Sequence, residues 1–300
     1  MNKLKKINSI NKKLFFLLLV LSLLSSQVFS ISIKNNVSND NETVDKENDI
    51  FFQKNYFALL IGINDYPGDW GDLPYSINEI NSFKKTLLDK GNWDEENIKM
   101  ITDSDATHDN IINNLELLGE KEKKFDISII YFVGHGGSLN QNYSFSTYDA
   151  KIFDYELDSI FDGFDGRIVL IMDCCNSGGF VETVKGKGRV IMAACEKDGL
   201  TYQYKPLKSG FFGYFLNLTL DKYTYTAEGS FIIAAPLTYI YSKKISDELG
   251  KDYIVRPTAS DRTLGFIRLI RPFWTKLFSK SVNNEILINN NISEDDIYIL

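Results

Sequence analysis

The segment ISIIYFVGHGG, residues 127–137, joins a strand-like run to a glycine-rich turn. Residues 127–133 are almost entirely apolar, and such a run predicts a strand that is buried on both faces. The segment RIVLIMDCCNSGG, residues 167–179, repeats the arrangement of a buried strand and a polar, glycine-containing turn. Strands buried on both faces are typical of a parallel sheet that is covered by helices.

Helical patterns alternate with the predicted strands. Residues 76–90 carry apolar side chains on one helical stripe, and Ser76 with Glu79 has the spacing of a helix-capping box. Residues 107–118 form a second such segment, with Thr107 as its expected N-cap. The alternation predicts an α/β fold with a mostly parallel sheet and helices on both faces, closed by a last strand at residues 263–269.

The N-terminal region has the pattern of an export signal. Its lysines end at Lys13, an apolar run covers residues 14–24, and small or polar residues follow up to Ser30. The run is shorter than the roughly 20 residues that a membrane span needs. We therefore expect a signal peptide at residues 1–30 and a secreted protein, with an uncleaved membrane anchor as the alternative.

The remaining chain divides by composition. Residues 31–50 are polar and predict a disordered linker or propeptide, residues 51–270 form the folded domain, and residues 271–300 form a C-terminal tail. In that tail, Phe273, Trp274 and Phe278 suggest packing on the domain or at an interface.

Charge and cysteine content exclude some classes of function. The chain has 33 basic and 40 acidic residues and a net charge of -7, which would repel the phosphates of a nucleic acid. The three cysteines are Cys174, Cys175 and Cys195, and no CxxC pair is present. We therefore expect no nucleic-acid partner, no disulfide framework and no structural zinc site.

The two glycine-containing turns carry the candidate site. His135 follows one buried strand and Cys175 follows the next, while the other histidine, His108, lies at a helix start. Ligands of open α/β sheets bind at the carboxyl ends of strands, where neighbouring parallel strands would bring these two side chains together. A thiol with a pKa near ~8.5 becomes a nucleophile when an imidazole takes its proton. A structural, buried cysteine pair is the alternative.

Strand periodicity distinguishes the two adjacent cysteines. Side chains alternate along a strand, so Asp173 and Cys175 point one way and Cys174 points the other way. If Asp173 faces the cleft, Cys175 is the nucleophile and Cys174 packs as a small apolar side chain. The backbone N–H groups of Gly136 and Cys175 are candidates for an oxyanion hole.

Four segments together resemble a known family. YFALLIGINDYPG, ITDSDAT, YFVGHGG and IMDCCNSGG occur in the order seen in the caspase-like cysteine peptidases of clan CD, above all the metacaspase and prokaryotic caspase-like branch. The resemblance covers roughly residues 55–270. It implies a caspase-like three-layer sandwich with a six-stranded sheet. It also implies an endopeptidase that forms an acyl-enzyme, with Cys175 as nucleophile and His135 as base and then acid.

The resemblance also implies a substrate preference. Asp173 matches one acidic pocket residue of that branch, and Glu79 stands where a second acidic residue is usually an aspartate. Together they predict protein or peptide substrates that are cut after Arg or Lys. Helix capping is a second possible role of Glu79, and it is compatible with the first. Asn176 departs from the histidine that is usual in metacaspases.

Several alternatives stay open at this point. The related legumain-like peptidases would cut after Asn, and a catalytically silent module would keep the fold only to bind peptides. Some metacaspases need calcium, but the acidic loop of Asp65, Asp69 and Asp72 is expected to be a solvated turn. We therefore predict no cofactor and no metal, with calcium as a possibility, and a membrane contact only through an uncleaved signal segment.

Overall fold

Strands and helices alternate through the computed structural model, which describes residues 54–68, 71–91, 93–271 and 293–300. The chain divides into two units, residues 1–51 and 52–300, and all the described residues belong to the second. The predicted signal peptide, the predicted linker and the aromatic residues Phe273, Trp274 and Phe278 lie outside the described residues.

The described residues form twelve strands and six α-helices. The strands are β1 (Tyr56–Gly62), β2 (Ile98–Thr102), β3 (Ile127–Val133), β4 (Gly136–Leu139), β5 (Asn142–Ser146), β6 (Lys151–Phe153), β7 (Arg167–Asp173), β8 (Arg189–Ala193), β9 (Tyr202–Tyr204), β10 (Ser209–Gly210), β11 (Thr258–Asp261) and β12 (Ile297–Ile299). The helices are α1 (Ser76–Lys90), α2 (His108–Lys121), α3 (Asp154–Phe161), α4 (Gly178–Thr183), α5 (Phe211–Lys222) and α6 (Ala227–Leu249).

Six of the strands form the central sheet in the order β11–β8–β7–β3–β1–β2. All neighbours are parallel except β11, which runs antiparallel to β8. All seven residues of β3 are buried, which explains its unbroken apolar sequence. The predicted six-stranded, mostly parallel sheet is confirmed, and β3 and β7 have the predicted bounds.

Helices cover both faces of this sheet. On one face, α1 packs on β1 and on α5, and α5 packs on α6. On the other face, α2 packs on β1 and on α3, and α3 packs on α4. Side-chain alternation in β3 separates the two layers: Tyr131 bonds to Glu79 of α1, whereas Phe132 contacts Phe145 on the opposite side. The three-layer arrangement is therefore confirmed.

The predicted closing strand at residues 263–269 is wrong. The antiparallel edge strand is β11, and residues 263–269 take part only in an isolated bridge between Thr226 and Arg268. A turn prevents further pairing, because Thr263 Oγ donates to the Gly265 carbonyl at 3.0 Å and Gly265 has φ of +86°. The Ile267 N–H is bound instead by the Glu228 carboxylate at 2.9 Å.

Two small three-stranded sheets flank the carboxyl edge of the central sheet. One has the order β4–β5–β6 and continues directly from the turn that contains His135. The other has the order β10–β9–β12 and contains the last strand of the described chain. Within the described ranges, no helix is both long enough and apolar enough to cross a membrane.

Candidate active site

The ends of β3 and β7 bring the two predicted turns side by side. Val133 pairs with Asp173, and the Gly134 N–H donates to the Asp173 carbonyl at 3.3 Å. His135 and Cys175 each lie two residues beyond that strand pair. A side chain at Gly136 would place its Cβ 2.5 Å from the Cys175 carbonyl oxygen, so the two turns touch through backbone. Glycine is required at this close approach.

His135 is held by two residues of the loop after β1, one through its backbone and one through its ring. Its backbone N–H donates to Tyr66 Oη at 2.9 Å, and its Nε2 lies 2.6 Å from the Gly71 carbonyl oxygen. A carbonyl only accepts hydrogen bonds, so Nε2 carries the proton and Nδ1 is the ring nitrogen that can take up another. Burial lowers the pKa of His135, which favours the neutral imidazole at neutral pH.

Tyr66 and Gly71 are site residues that sequence analysis missed. Tyr66 is buried, its Oη also donates to the Ser146 carbonyl at 3.3 Å, and it fills the space that a side chain at Gly134 would need. The available signal was the position of Tyr66 inside the YFALLIGINDYPG segment that supports the family resemblance. Nothing in the spacing of a loop predicts which of its carbonyls will reach a ring on another strand.

The thiol of Cys175 is buried beside Thr201. The Thr201 N–H donates to Cys175 Sγ at 3.4 Å, and Sγ lies 3.7 Å from the Thr201 carbonyl oxygen. Burial raises the pKa of Cys175 to about 12, although the Thr201 N–H acts in the opposite direction. The arrangement therefore favours a neutral thiol that needs a base for activation. The Cys175 N–H donates to the Leu300 carbonyl at 3.3 Å.

The chain turns sharply just after Cys175. Asn176 has φ of +59°, its N–H donates to the Gly199 carbonyl at 2.9 Å, and its side-chain amide donates to the Lys197 carbonyl at 2.8 Å. A short polar side chain tolerates this left-handed conformation better than a bulky one. Cys174 and Cys195 are buried free thiols, and Cys195 Sγ lies 3.4 Å from Ser177 Oγ.

Glu79 and Asp173 lie together beneath the β10–α5 connection. Glu79 Oε1 accepts from Tyr131 Oη at 2.5 Å, and Glu79 Oε2 accepts from Ser209 Oγ at 2.6 Å and from the Gly210 N–H at 2.5 Å. Asp173 accepts from the Gly213 N–H at 2.9 Å and from Thr201 Oγ at 3.3 Å. The two carboxyl groups lie close together, because a Cβ at Gly210 would be 2.6 Å from Asp173 Oδ2 and 3.1 Å from Glu79 Oε2.

Burial controls the protonation of this acidic pair. Desolvation raises the pKa of Glu79 and raises that of Asp173 well above its usual range, with the charge of Glu79 adding to the effect on Asp173. Burial and the repulsion between the two groups therefore favour a bound proton on the pair, and an arriving cation would favour its release.

The predicted capping box at Ser76 and Glu79 is wrong. The N-cap of α1 is Tyr75, and no side chain caps the helix there. Side chains from other parts of the chain bind this end of the helix instead. Asn64 Oδ1 accepts from the Ile77 N–H at 3.0 Å, and Ser76 Oγ accepts from Gln203 Nε2 at 2.9 Å. Glu79 is thus available to bond with Tyr131 and Ser209. The other predicted cap, Thr107, accepts from the Asn110 N–H at 3.3 Å as expected.

The other histidine and the acidic loop of the sequence analysis make contacts of their own. His108 is bound between Asp109 at 2.9 Å and Glu156 at 3.0 Å, and these hydrogen bonds raise its pKa. In the acidic loop, Asp72 accepts from the Tyr66 N–H at 3.4 Å, whereas Asp69 is outside the described residues. Across the part of the chain that the structure describes, no three His, Cys, Asp or Glu side chains cluster as metal ligands would.

Comparisons with known proteins agree with this architecture. The sequence pattern of one family, described as the caspase domain, matches residues 55–249. Metacaspase-6 of Arabidopsis thaliana is 32% identical over 43% of this chain and 39% of its own length. Metacaspase-4 of the same plant is 29% identical over 43% of this chain and 35% of its own length. The aligned region thus spans well under half of these two curated relatives.

A solved structure supports the fold independently. The crystal structure of a protein from Geobacter sulfurreducens superimposes with a TM-score of 0.52 and 14% identity, covering 70% of this chain and 94% of that one. At this identity the likeness concerns the fold alone. The family match covers more than half of the chain. The chain therefore belongs to the caspase domain family, and it is similar in sequence to the plant metacaspases.

Proposed function

We propose that this protein is a cysteine endopeptidase in which Cys175 is the nucleophile and His135 is the base. The observation that carries the proposal is the adjacency of the two turns at the ends of β3 and β7, with His135 Nε2–H bound to the Gly71 carbonyl. That hydrogen bond fixes the tautomer in which Nδ1 can accept the thiol proton.

The proposed reaction has two halves. The thiol proton of Cys175 moves to His135 Nδ1, and Sγ attacks the carbonyl carbon of the peptide bond. The imidazolium then gives its proton to the leaving nitrogen, the C–N bond breaks, and a thioester remains. Water, deprotonated by the same imidazole, releases the acid and restores the thiol. The Gly136 and Cys175 N–H groups are the proposed donors to the carbonyl oxygen on which negative charge develops.

We further propose that the substrate is cut after Arg or Lys. Glu79 and Asp173 are buried together, directly below the nucleophile turn, and both accept hydrogen bonds from backbone and hydroxyl groups that keep them in place. A guanidinium or ammonium group would replace the bound proton as the positive partner of the two carboxyl groups. An acidic pocket of this kind disfavours a substrate Asp at the same position.

Export from the cell and activity without a metal complete the proposal. The pattern of residues 1–30 supports secretion, with the uncleaved anchor as the other outcome. We expect no cofactor, and added calcium tests that expectation. The partners are protein or peptide substrates with basic residues, and the acidic net charge of -7 favours such cationic chains.

A panel of fluorogenic peptides that differ only in the residue before the cleaved bond tests these points. We expect the full chain to cleave after Arg and Lys, with and without calcium, and Cys175→Ala to be inactive. Cys174→Ala is the matched control, because it removes the neighbouring buried thiol and should keep activity. Cleavage after Asn would support the legumain-like alternative. An equally active Cys175→Ala would exclude the proposed nucleophile, and a folded wild type that stays inactive even when residues 293–300 are removed would support the silent module.

A further inference from the structure

Residues 293–300 lie along β9, next to the proposed nucleophile. β12 pairs antiparallel with β9, with Ile297 opposite Tyr204 and Ile299 opposite Tyr202. The pairing continues one residue further, where the Leu300 N–H donates to the Thr201 carbonyl at 3.1 Å. The Leu300 carbonyl oxygen then accepts the Cys175 N–H at 3.3 Å.

These contacts use the backbone groups that a peptide substrate would need. Thr201 contacts Cys175 Sγ through its N–H, and its carbonyl is bound by Leu300. The Cys175 N–H, a proposed donor of the oxyanion hole, is bound by Leu300 as well. An extended peptide that binds to the edge of a sheet relies on the same main-chain hydrogen bonds. The site cannot accept a second strand on this edge of β9 while residues 297–300 occupy it.

Side chains of the segment add to the main-chain pairing. Leu300 is 1% exposed, and burial of a leucine side chain stabilises the bound position more than exposed ion pairs do. The Asp296 carbonyl accepts from the Lys205 N–H at 2.8 Å, and the Asp296 carboxylate lies 3.2 Å from Lys205 Nζ. Glu294 forms an ion pair with Lys251. The segment is thus attached to the domain along its whole described length.

We propose that residues 293–300, the inhibitory segment, are an intramolecular inhibitor that must leave β9 before a protein substrate can bind. The inference rests on the proposed function, because it assumes that Cys175 is the nucleophile. The segment and its groove belong to one chain, so the local concentration of the segment is high and the occupied state is favoured. Activity is then set by the equilibrium between the occupied and the open groove.

The experiment compares the full chain with a variant that lacks residues 293–300. We expect deletion to raise kcat/KM for the fluorogenic peptide by about tenfold or more, because a tethered competitor is removed. The rate at which iodoacetamide alkylates Cys175, followed by mass spectrometry, should rise by a similar factor. Leu300→Asp in the full chain keeps the length but places a charge at a buried position, and it should act in the same direction.

A synthetic peptide with the sequence SEDDIYIL, residues 293–300, provides the matched control. Added to the deletion variant as its C-terminal amide, it should inhibit competitively and slow alkylation of Cys175. N-methylation of its leucine nitrogen removes the donor to Thr201 and should weaken inhibition by about tenfold. Faster alkylation without any peptide cleavage would support the blocking of Cys175 by residues 293–300 and would reject the peptidase function. Equal kcat/KM and equal alkylation rates in the full chain and both variants would overturn the proposal that residues 293–300 inhibit the site.

Discussion

Tyr66 Oη accepts the backbone N–H of His135 at 2.9 Å, and the two rings lie with centroids 4.7 Å apart. The loop after β1 therefore fixes the position of a histidine in the turn that follows β3. Because Tyr66 also donates to the Ser146 carbonyl, a single buried hydroxyl connects β5 to the histidine turn. Tyr66 acts through His135 and is a positioning residue.

Tyr66→Phe should separate positioning from binding. Loss of the hydroxyl removes the acceptor of the His135 N–H and the buried donor to the Ser146 carbonyl, so we expect the free energy of unfolding to fall by about 1–3 kcal/mol. We also expect kcat to fall by roughly tenfold with little change in KM, because the imidazole loses its alignment and the substrate groove does not change. Steady-state kinetics and urea unfolding measure the two effects. Tyr155→Phe, at an exposed tyrosine, is the control, and a purely structural role for Tyr66 would leave kcat of the folded fraction unchanged.

The raised pKa values of Glu79 and Asp173 should make stability depend on pH. Both pKa values are raised in the folded protein, so the stability that the protonated groups contribute is complete below the ordinary carboxyl pKa of about 4. It is lost as the pH rises through the raised pKa of the folded state. Asp173→Asn keeps a donor at this place but cannot ionise. The variant should therefore lose less unfolding free energy than the wild type between acid and neutral pH.

Urea unfolding at a series of pH values measures this difference. Glu182→Gln changes an exposed carboxylate, and its curve should follow that of the wild type. Parallel curves for Asp173→Asn and the wild type would contradict a raised pKa of Asp173 in the folded protein. The same variant should also lose about 10- to 100-fold in kcat/KM for Arg peptides, since one charged partner of the guanidinium is gone.

Gly179 should tolerate no side chain. A Cβ there would lie 2.0 Å from the ring of Tyr143, which is buried. Alanine at a helical glycine gains up to ~1 kcal/mol of helix propensity, but overpacking costs about 1–3 kcal/mol, so Gly179→Ala should be destabilised on balance. Gly137→Ala is the matched control, because nothing lies within 4 Å of its Cβ position. Thermal unfolding that is equal for both variants would contradict the close contact.

Arg189 should not be replaceable by lysine. Its guanidinium donates to Asp158 and Asp162 at 2.6 Å each and to the Val184 carbonyl at 2.9 Å, with 5% of the side chain exposed. Lysine cannot make this fork, so Arg189→Lys should lose about 1–2 kcal/mol of unfolding free energy, a value reduced by the exposure of both aspartates. Lys197→Ala removes an exposed ion pair and should leave the urea midpoint in place. A wild-type midpoint for Arg189→Lys would reject the proposed fork.

Local sequence was sufficient for the buried strands β3 and β7, for the two turns that follow them and for the choice of candidate nucleophile and base. The strands β3 and β7 are buried on both faces, so an apolar side chain is favoured at nearly every position and the sequence shows a continuous apolar run. The order of strands follows because short parallel connections have few alternatives. The bounds of α1 are as predicted, although its first turn is bound by Asn64 from the preceding loop, whereas α2 extends to Lys121, beyond its predicted end at residue 118.

Contacts between residues far apart in the chain depended on the folded arrangement. The hydrogen bond from His135 to Gly71, the pairing of Glu79 with Asp173, and the position of Leu300 against Cys175 leave no periodic trace in the sequence. The spacing of apolar residues shows which side of a helix or strand is buried, because every helical turn, and every second residue of a strand, must place an apolar side chain on that side. A single hydrogen bond between two distant segments is made once, and only the packed chain specifies its partner.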